Sequence, residues 1–124
     1  MSKGDAEAWL NLALFLRRQN RLQEMEQAIV KMSQSPMPKL DVLVEGAQML
    51  QRSGRNFPFA TQLLQRYLST GPVEAAPAFK AHYVLGTLLE KQGDKAGASE
   101  QYRASLALAR NFGLAQQALN RVAH

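Results

Sequence analysis

The chain has 124 residues, enough for one small domain or a short array of repeated units. Alanine, leucine and glutamine fill 48 positions while valine, isoleucine and threonine fill 10, which argues against a sheet because strands draw on β-branched residues. The absence of cysteine excludes disulfides, thiolate metal ligands and a cysteine nucleophile; the formal charge of +5 is spread evenly and supports at most a mild preference for anionic partners.

Turn-forming residues divide the chain into seven expected helices. Asp5 is suited to cap a first helix from Ala6 to about Gln19, with Asn20 at a left-handed exit. A second runs from about Leu22 to Ser33 and stops before Pro36 and Pro38, which forbid continuation. A third covers about Leu40 to Arg52 and ends at Gly54. Asn56 caps a fourth, with Pro58 in the first turn and an end near Leu68. The fifth begins near Pro77 and runs to Gln92. Asp94 caps a sixth, to about Arg110, and Asn111-Phe112-Gly113 separates it from a last helix at about 114–123.

Apolar residues recur three or four apart, as at Trp9, Leu12 and Leu16 and at Leu85, Leu88 and Leu89, which is the helical period. Short loops inside each pair force neighbouring helices antiparallel. The expected architecture is all-α: three helical hairpins at about 6–38, 40–72 and 78–111, then a final helix, in one domain. Small residues on the first helix of each hairpin, Ala13, Ala47 and Gly86, are spaced 34 and 39 apart, and 34 is a repeat period.

On these residues the chain resembles the tetratricopeptide repeat family, whose pattern places small and large residues at fixed offsets in a helical hairpin. The third hairpin is the nearest match, with His82, Leu85, Gly86, Leu89, Ala98, Tyr102 and Ser105. The first offers Trp9, Leu12, Ala13, Leu16, Met25, Ile29 and Met32; the second Leu43, Gly46, Ala47, Leu50, Ala60, Leu64 and Tyr67. Departures are Met25 in place of a small residue, which suggests a looser crossing in the first hairpin, and Arg110 where the family closes with proline.

The resemblance implies a right-handed α-solenoid of three antiparallel helix pairs with a C-terminal capping helix, whose first helices line a concave groove. The groove candidates are then Leu10, Leu14 and Arg17 on the first helix. On the third they are Asp41, Glu45, Gln48 and Arg52, and on the fifth Lys80, Tyr83, Thr87 and Glu90. Such a surface suits an extended peptide or a partner helix, with Tyr83, Leu10 and Leu14 as apolar anchors. The family's clamp for chaperone-tail carboxylates would fall on Leu10, Leu14, Glu45, Lys80 and Val84. Only Lys80 has the required chemistry, and Glu45 repels a carboxylate.

No catalytic, cofactor or metal site is expected. His82 reads as a half-buried spacer, His124 stands alone at the end, and Glu24 and Glu26 point to different sides of a helix. Bases recur at the turn inside each hairpin, at Arg17, Arg18, Arg21, Arg52, Arg55, Lys91 and Lys95; cations favour helix C-termini, so nucleic-acid binding along this edge is the weaker reading. Trp9, Leu10, Leu14 and Phe15 leave apolar surface at the front, which implies either a larger parent protein or a homo-oligomer formed through the first hairpin. The expected function is therefore a non-enzymatic protein-interaction module acting as adaptor or scaffold. The alternative is a structural repeat segment of a larger enzyme or secretion or assembly protein. No apolar run is long enough to span a bilayer and the opening residues lack a signal-peptide core, so a cytoplasmic location is the default expectation.

Overall fold

A computed structural model of the chain describes residues 5–37, 39–69 and 75–122, with side chains in the last segment from residue 78. These residues form seven helices: α1 (Ala6–Arg18), α2 (Leu22–Ser33), α3 (Val42–Ser53), α4 (Phe57–Ser69), α5 (Ala75–Lys91), α6 (Lys95–Leu108) and α7 (Gly113–Val122). No strand occurs among the described residues. His124, Pro38 and the linker at 70–74 lie outside them.

Local chemistry sets the boundaries. The Asp5 carboxylate accepts from the Ala8 amide at 2.9 Å, and Asp94 accepts from Gly97 at the same distance, each satisfying one of the amides a helix start leaves open. Asn20 and Asn56 both adopt positive φ, 58° and 46°, at the two hairpin turns where a left-handed residue was expected or adjoins the cap. The Asn56 side chain also accepts from Phe59, at 3.4 Å. α3 begins two residues later than the spacing suggests, because Leu40 and Asp41 are spent on a turn whose carbonyls accept from Leu43 and Val44. α6 ends at Leu108 rather than near Arg110, where the Ala109 backbone turns extended.

Consecutive helices pair as α1–α2, α3–α4 and α5–α6, and α7 packs on α6. Ala13, Ala47 and Gly86 are all buried on the first helix of their hairpins. Gly86 allows the closest approach: a Cβ there would stand 2.5 Å from the Tyr102 ring. Tyr102 fills that space from α6 and is itself fully buried. Between hairpins the fit is reversed in kind. At Gly46 the missing side chain is replaced by Met32 of α2, whose terminal methyl would lie 2.8 Å from a Cβ at that position. Met25 is fully buried, and its sulfur accepts a hydrogen bond from the Ser53 hydroxyl at 3.7 Å.

Polar bonds stitch successive hairpins together. The Ala6 amide donates to the Pro36 carbonyl, closing the first hairpin on itself. Arg55 and Asn56 both reach Glu26, Arg66 caps the end of α2 through the Ser33 carbonyl, and Gln92 donates to Thr61. Ser105, a buried polar residue, donates to the Phe79 carbonyl at 2.7 Å. Among the described residues no buried side-chain polar atom lacks a partner, as a well-formed interior requires.

The main core runs from α1 to α5, and a smaller cluster joins Ala98 and Tyr102 to Ala118 of α7. One expectation about the front is corrected here. Leu10 is buried in the main core with 4 % exposure, and Trp9 and Leu14 are half-buried against it; the apolar surface left open at the front is Leu12 and Phe15, at 41 % and 53 %. On α7 the buried side is Ala115 and Ala118, while Leu114 is 54 % exposed.

Candidate functional site

The central helix shows how the groove arises. α3 is covered by neighbours on most sides, so Val42, Leu43, Val44, Gly46, Ala47, Met49 and Leu50 are all buried. What remains on Val42–Arg52 is Glu45, Gln48, Gln51 and Arg52, a single stripe three or four residues apart. Lys80, Tyr83 and Thr87 continue the same surface on α5.

Among the described residues, three hollows lie along these first helices. One, of about 220 Å³, sits between α1 and α3 with Leu10 and Leu14 beneath it and Glu7, Asp41 and Glu45 around it. A second, of about 460 Å³, is framed by Gln48 and Arg52 of α3, Lys80 and Tyr83 of α5, and Phe112 and Leu114 next to or on α7. The third, of about 450 Å³, adjoins it and is lined by Gln51, Thr87, Glu90, Lys91 and Arg121. Ten of the eleven sequence-derived groove candidates border one of the three. Arg17, half-buried in the last turn of α1, borders none.

The candidates differ in what they are free to do. Leu10 is a floor rather than a protruding anchor, which corrects the expectation above. Thr87 is engaged within the chain, donating to the Val84 carbonyl and accepting from Gln51. Glu90 is engaged too: its carboxylate accepts from the Tyr102 hydroxyl at 2.7 Å and from Arg121 at 2.9 and 2.7 Å. The Arg121 bonds hold the Glu90 carboxyl below the ordinary range, with Tyr102 adding to the effect against the opposing influence of burial. Burial, reinforced by Glu90, pushes the Tyr102 phenol up. This network fastens α7 to α5 and α6 and leaves neither acid nor hydroxyl for a ligand.

Gln48, Arg52 and Lys80 form no side-chain hydrogen bond or ion pair among the described residues. Lys80 lies near enough to Glu45 to lower its carboxyl pKa, but burial and Asp41 prevail and the Glu45 carboxyl is raised. Along this surface the acids Glu7, Asp41 and Glu45 gather toward α1 with Lys39 among them, while Arg52 of α3 and Lys80 of α5 border the hollow next to α7.

Sequence reasoning missed the wall contributed from the C-terminal side. Phe112 sits in an Asn–Phe–Gly turn that reads as a separator, yet it packs edge-on against Phe79 at 4.9 Å and Tyr83 at 5.1 Å. An aromatic between turn residues is the one local signal that could have shown it. The basic edge is also reduced from its sequence-derived form: Arg21 pairs with Glu24 at 2.6 Å and Arg55 with Glu26 at 3.0 Å. His82 is half-buried and bonds Gln101, as a spacer does. No group of acids and histidines among the described residues is arranged to hold a metal, and none of their helices is long and apolar enough to cross a membrane.

No curated protein matches the chain significantly. A tetratricopeptide repeat family model matches residues 79–112, the α5–α6 hairpin with its closing turn. The α5–α6 hairpin is thus similar to a tetratricopeptide repeat, and it stands in an all-helical stack whose preceding hairpins carry buried small residues at the corresponding point of their first helices.

Proposed function

We propose that the chain is a non-enzymatic interaction module that holds a peptide or partner helix in the groove along α1, α3 and α5, as an adaptor or assembly scaffold. Repeats of this family generally mediate protein–protein interactions. The observation that carries the reading here is the stripe of α3: on an otherwise buried helix, the residues left open are Glu45, Gln48 and Arg52, which make no hydrogen bond or ion pair among the described residues, and Gln51, which donates to Thr87. Exposed polar side chains above an apolar floor give hydrogen-bonded specificity over buried anchors. The three hairpins, at about 6–38, 40–72 and 78–111, then act as one domain with α7 closing the far end.

The test uses a partner isolated by pull-down. Gln48→Ala combined with Lys80→Ala weakens its binding about tenfold, equivalent to about 1.4 kcal/mol, while thermal melting is unchanged. Gln62→Ala with Gln65→Ala, exposed on α4, leaves binding intact. Equal effects of the two pairs, or none from the first, refute the groove. Tyr83 is unsuitable as the probe because it supports Tyr102 and Phe112.

A second reading is favoured by Leu12 and Phe15, which stand exposed side by side on the front of α1. Apolar side chains in this position suit a second copy of the chain, joined through the first hairpin.

A further inference from the structure

The hollow between α3, α5 and α7 differs from the rest of the groove in both floor and charge. Its floor is a set of rings already locked together: Phe112 meets Phe79 at an interplanar angle of 80° and Tyr83 at 73°, and Tyr83 leans on the buried Tyr102 at 5.9 Å. A floor that is rigid before binding loses little conformational freedom on binding. Leu114 adds a large exposed apolar side chain at the edge.

Charge then selects the occupant. Arg52 and Lys80 flank this hollow without an ion pair among the described residues, whereas Arg121, the nearby cation of α7, is taken up by Glu90. The other end of the groove carries three acids, Glu7, Asp41 and Glu45, against one base, Lys39. A basic segment is drawn to the α1–α3 end and an acidic one to the α5–α7 end, because like charges brought together cost binding energy.

We infer that this hollow receives one bulky apolar side chain of an acidic peptide segment, whose flanking carboxylates are held by Arg52 and Lys80. The inference rests on the groove reading above and narrows it to one end and one chemistry. It differs from a carboxylate clamp, in which Leu10, Leu14 and Glu45 would have to take part. Here the apolar contact is made by the α5–α7 rings, and the carboxylates belong to side chains within the segment.

The probes are three synthetic twelve-residue peptides with Gly–Ser spacers: one centred on Asp-Glu-Phe-Asp-Glu, one with the acids replaced by lysine and arginine, and one with the phenylalanine replaced by glycine. Binding to the full chain is followed by amide chemical shifts in an NMR titration. The acidic phenylalanine peptide gives saturable shifts around Gln48, Tyr83 and Leu114. Removing the phenylalanine, or reversing both cations with Arg52→Glu and Lys80→Glu, weakens it about tenfold or more, and Leu114→Glu does the same without touching the cations. All three substituted residues are exposed, and melting curves confirm that the variants fold. Absence of saturable binding, tighter binding of the basic peptide, or indifference to the phenylalanine overturns the inference. Shifts gathered around Glu7, Asp41 and Glu45 overturn it while leaving the groove reading in place; shifts confined to α2, α4 and α6 remove both.

Discussion

Two glycines, each buried on the first helix of a hairpin, should respond very differently to the same added methyl group. At Gly86 a Cβ would lie 2.5, 2.8 and 3.1 Å from three atoms of the Tyr102 ring. Carbon atoms sit best at about 3.5–4.0 Å, so the ring must retreat by roughly 1 Å. Tyr102 is fully buried, and its hydroxyl is bonded to Glu90 at 2.7 Å. Retreat therefore loosens the same carboxylate that fastens α7. Overpacking costs about 1–3 kcal/mol, strain on a hydrogen bond to a charged group adds to that, and the better helix propensity of alanine returns about 1 kcal/mol. The net loss for Gly86→Ala is about 1–3 kcal/mol.

At Gly46 the nearest atoms are the Met32 methyl at 2.8 Å and Ile29 Cγ2 at 3.2 Å. A methionine end rotates aside with little cost, and the same propensity gain offsets what remains. Gly46→Ala should change stability by no more than about 0.5 kcal/mol. Urea unfolding followed by far-UV circular dichroism separates the two by about 2 kcal/mol, roughly 5–10 °C in melting temperature for a chain of this size. Adding Tyr102→Leu removes the obstructing ring, so the double variant with Gly86→Ala should cost clearly less than the sum of its singles. If Gly86→Ala is as stable as Gly46→Ala, or the double variant is additive, the close packing of α5 on Tyr102 is not what sets the hairpin.

Glu90 makes stability pH-dependent. Its folded carboxyl pKa lies below the unfolded value of 4.5, so its contribution is full above that pH and is lost as pH falls through the lower folded value. The urea midpoint should drop on acidification below about pH 5, and Glu90→Gln should flatten that part of the profile; an unchanged slope in the variant refutes the role given to Glu90. Glu45, with a raised carboxyl, acts with opposite sign and is relieved by protonation. For self-association, light scattering at increasing concentration should show a dimer that Leu12→Glu with Phe15→Glu converts to monomer. A wild-type monomer throughout refutes that reading, and a dimer unaffected by the substitutions removes this face from it.

Most of the residues that border the three hollows follow from the resemblance alone. Gln48, Arg52, Lys80 and Tyr83 were named from the resemblance to the tetratricopeptide pattern, and all four border one hollow. Leu10 could not be placed correctly. Whether a leucine on α1 is floor or anchor depends on how the neighbouring helices pack against it, and the spacing within α1 carries no information on that. On α7, Ala115 and Leu114 are adjacent, and a modest rotation of a short helix decides which is buried.

The amino-acid sequence alone determined the helices, their capping by Asp5 and Asp94, their antiparallel pairing and the beat of small residues. These depend on contacts three or four residues apart and on short loops, both read directly along the chain. Tertiary structure decided the rest: that Met32 fills the space at Gly46, that Phe112 turns back onto Phe79 and Tyr83, and that Arg121 binds a carboxylate 31 residues earlier. Those pairings join segments whose separation along the chain leaves no periodic trace, and they exist because packing brings complementary shapes and charges together. The wall of the groove, and with it the charge of the pocket it encloses, belongs to that second group.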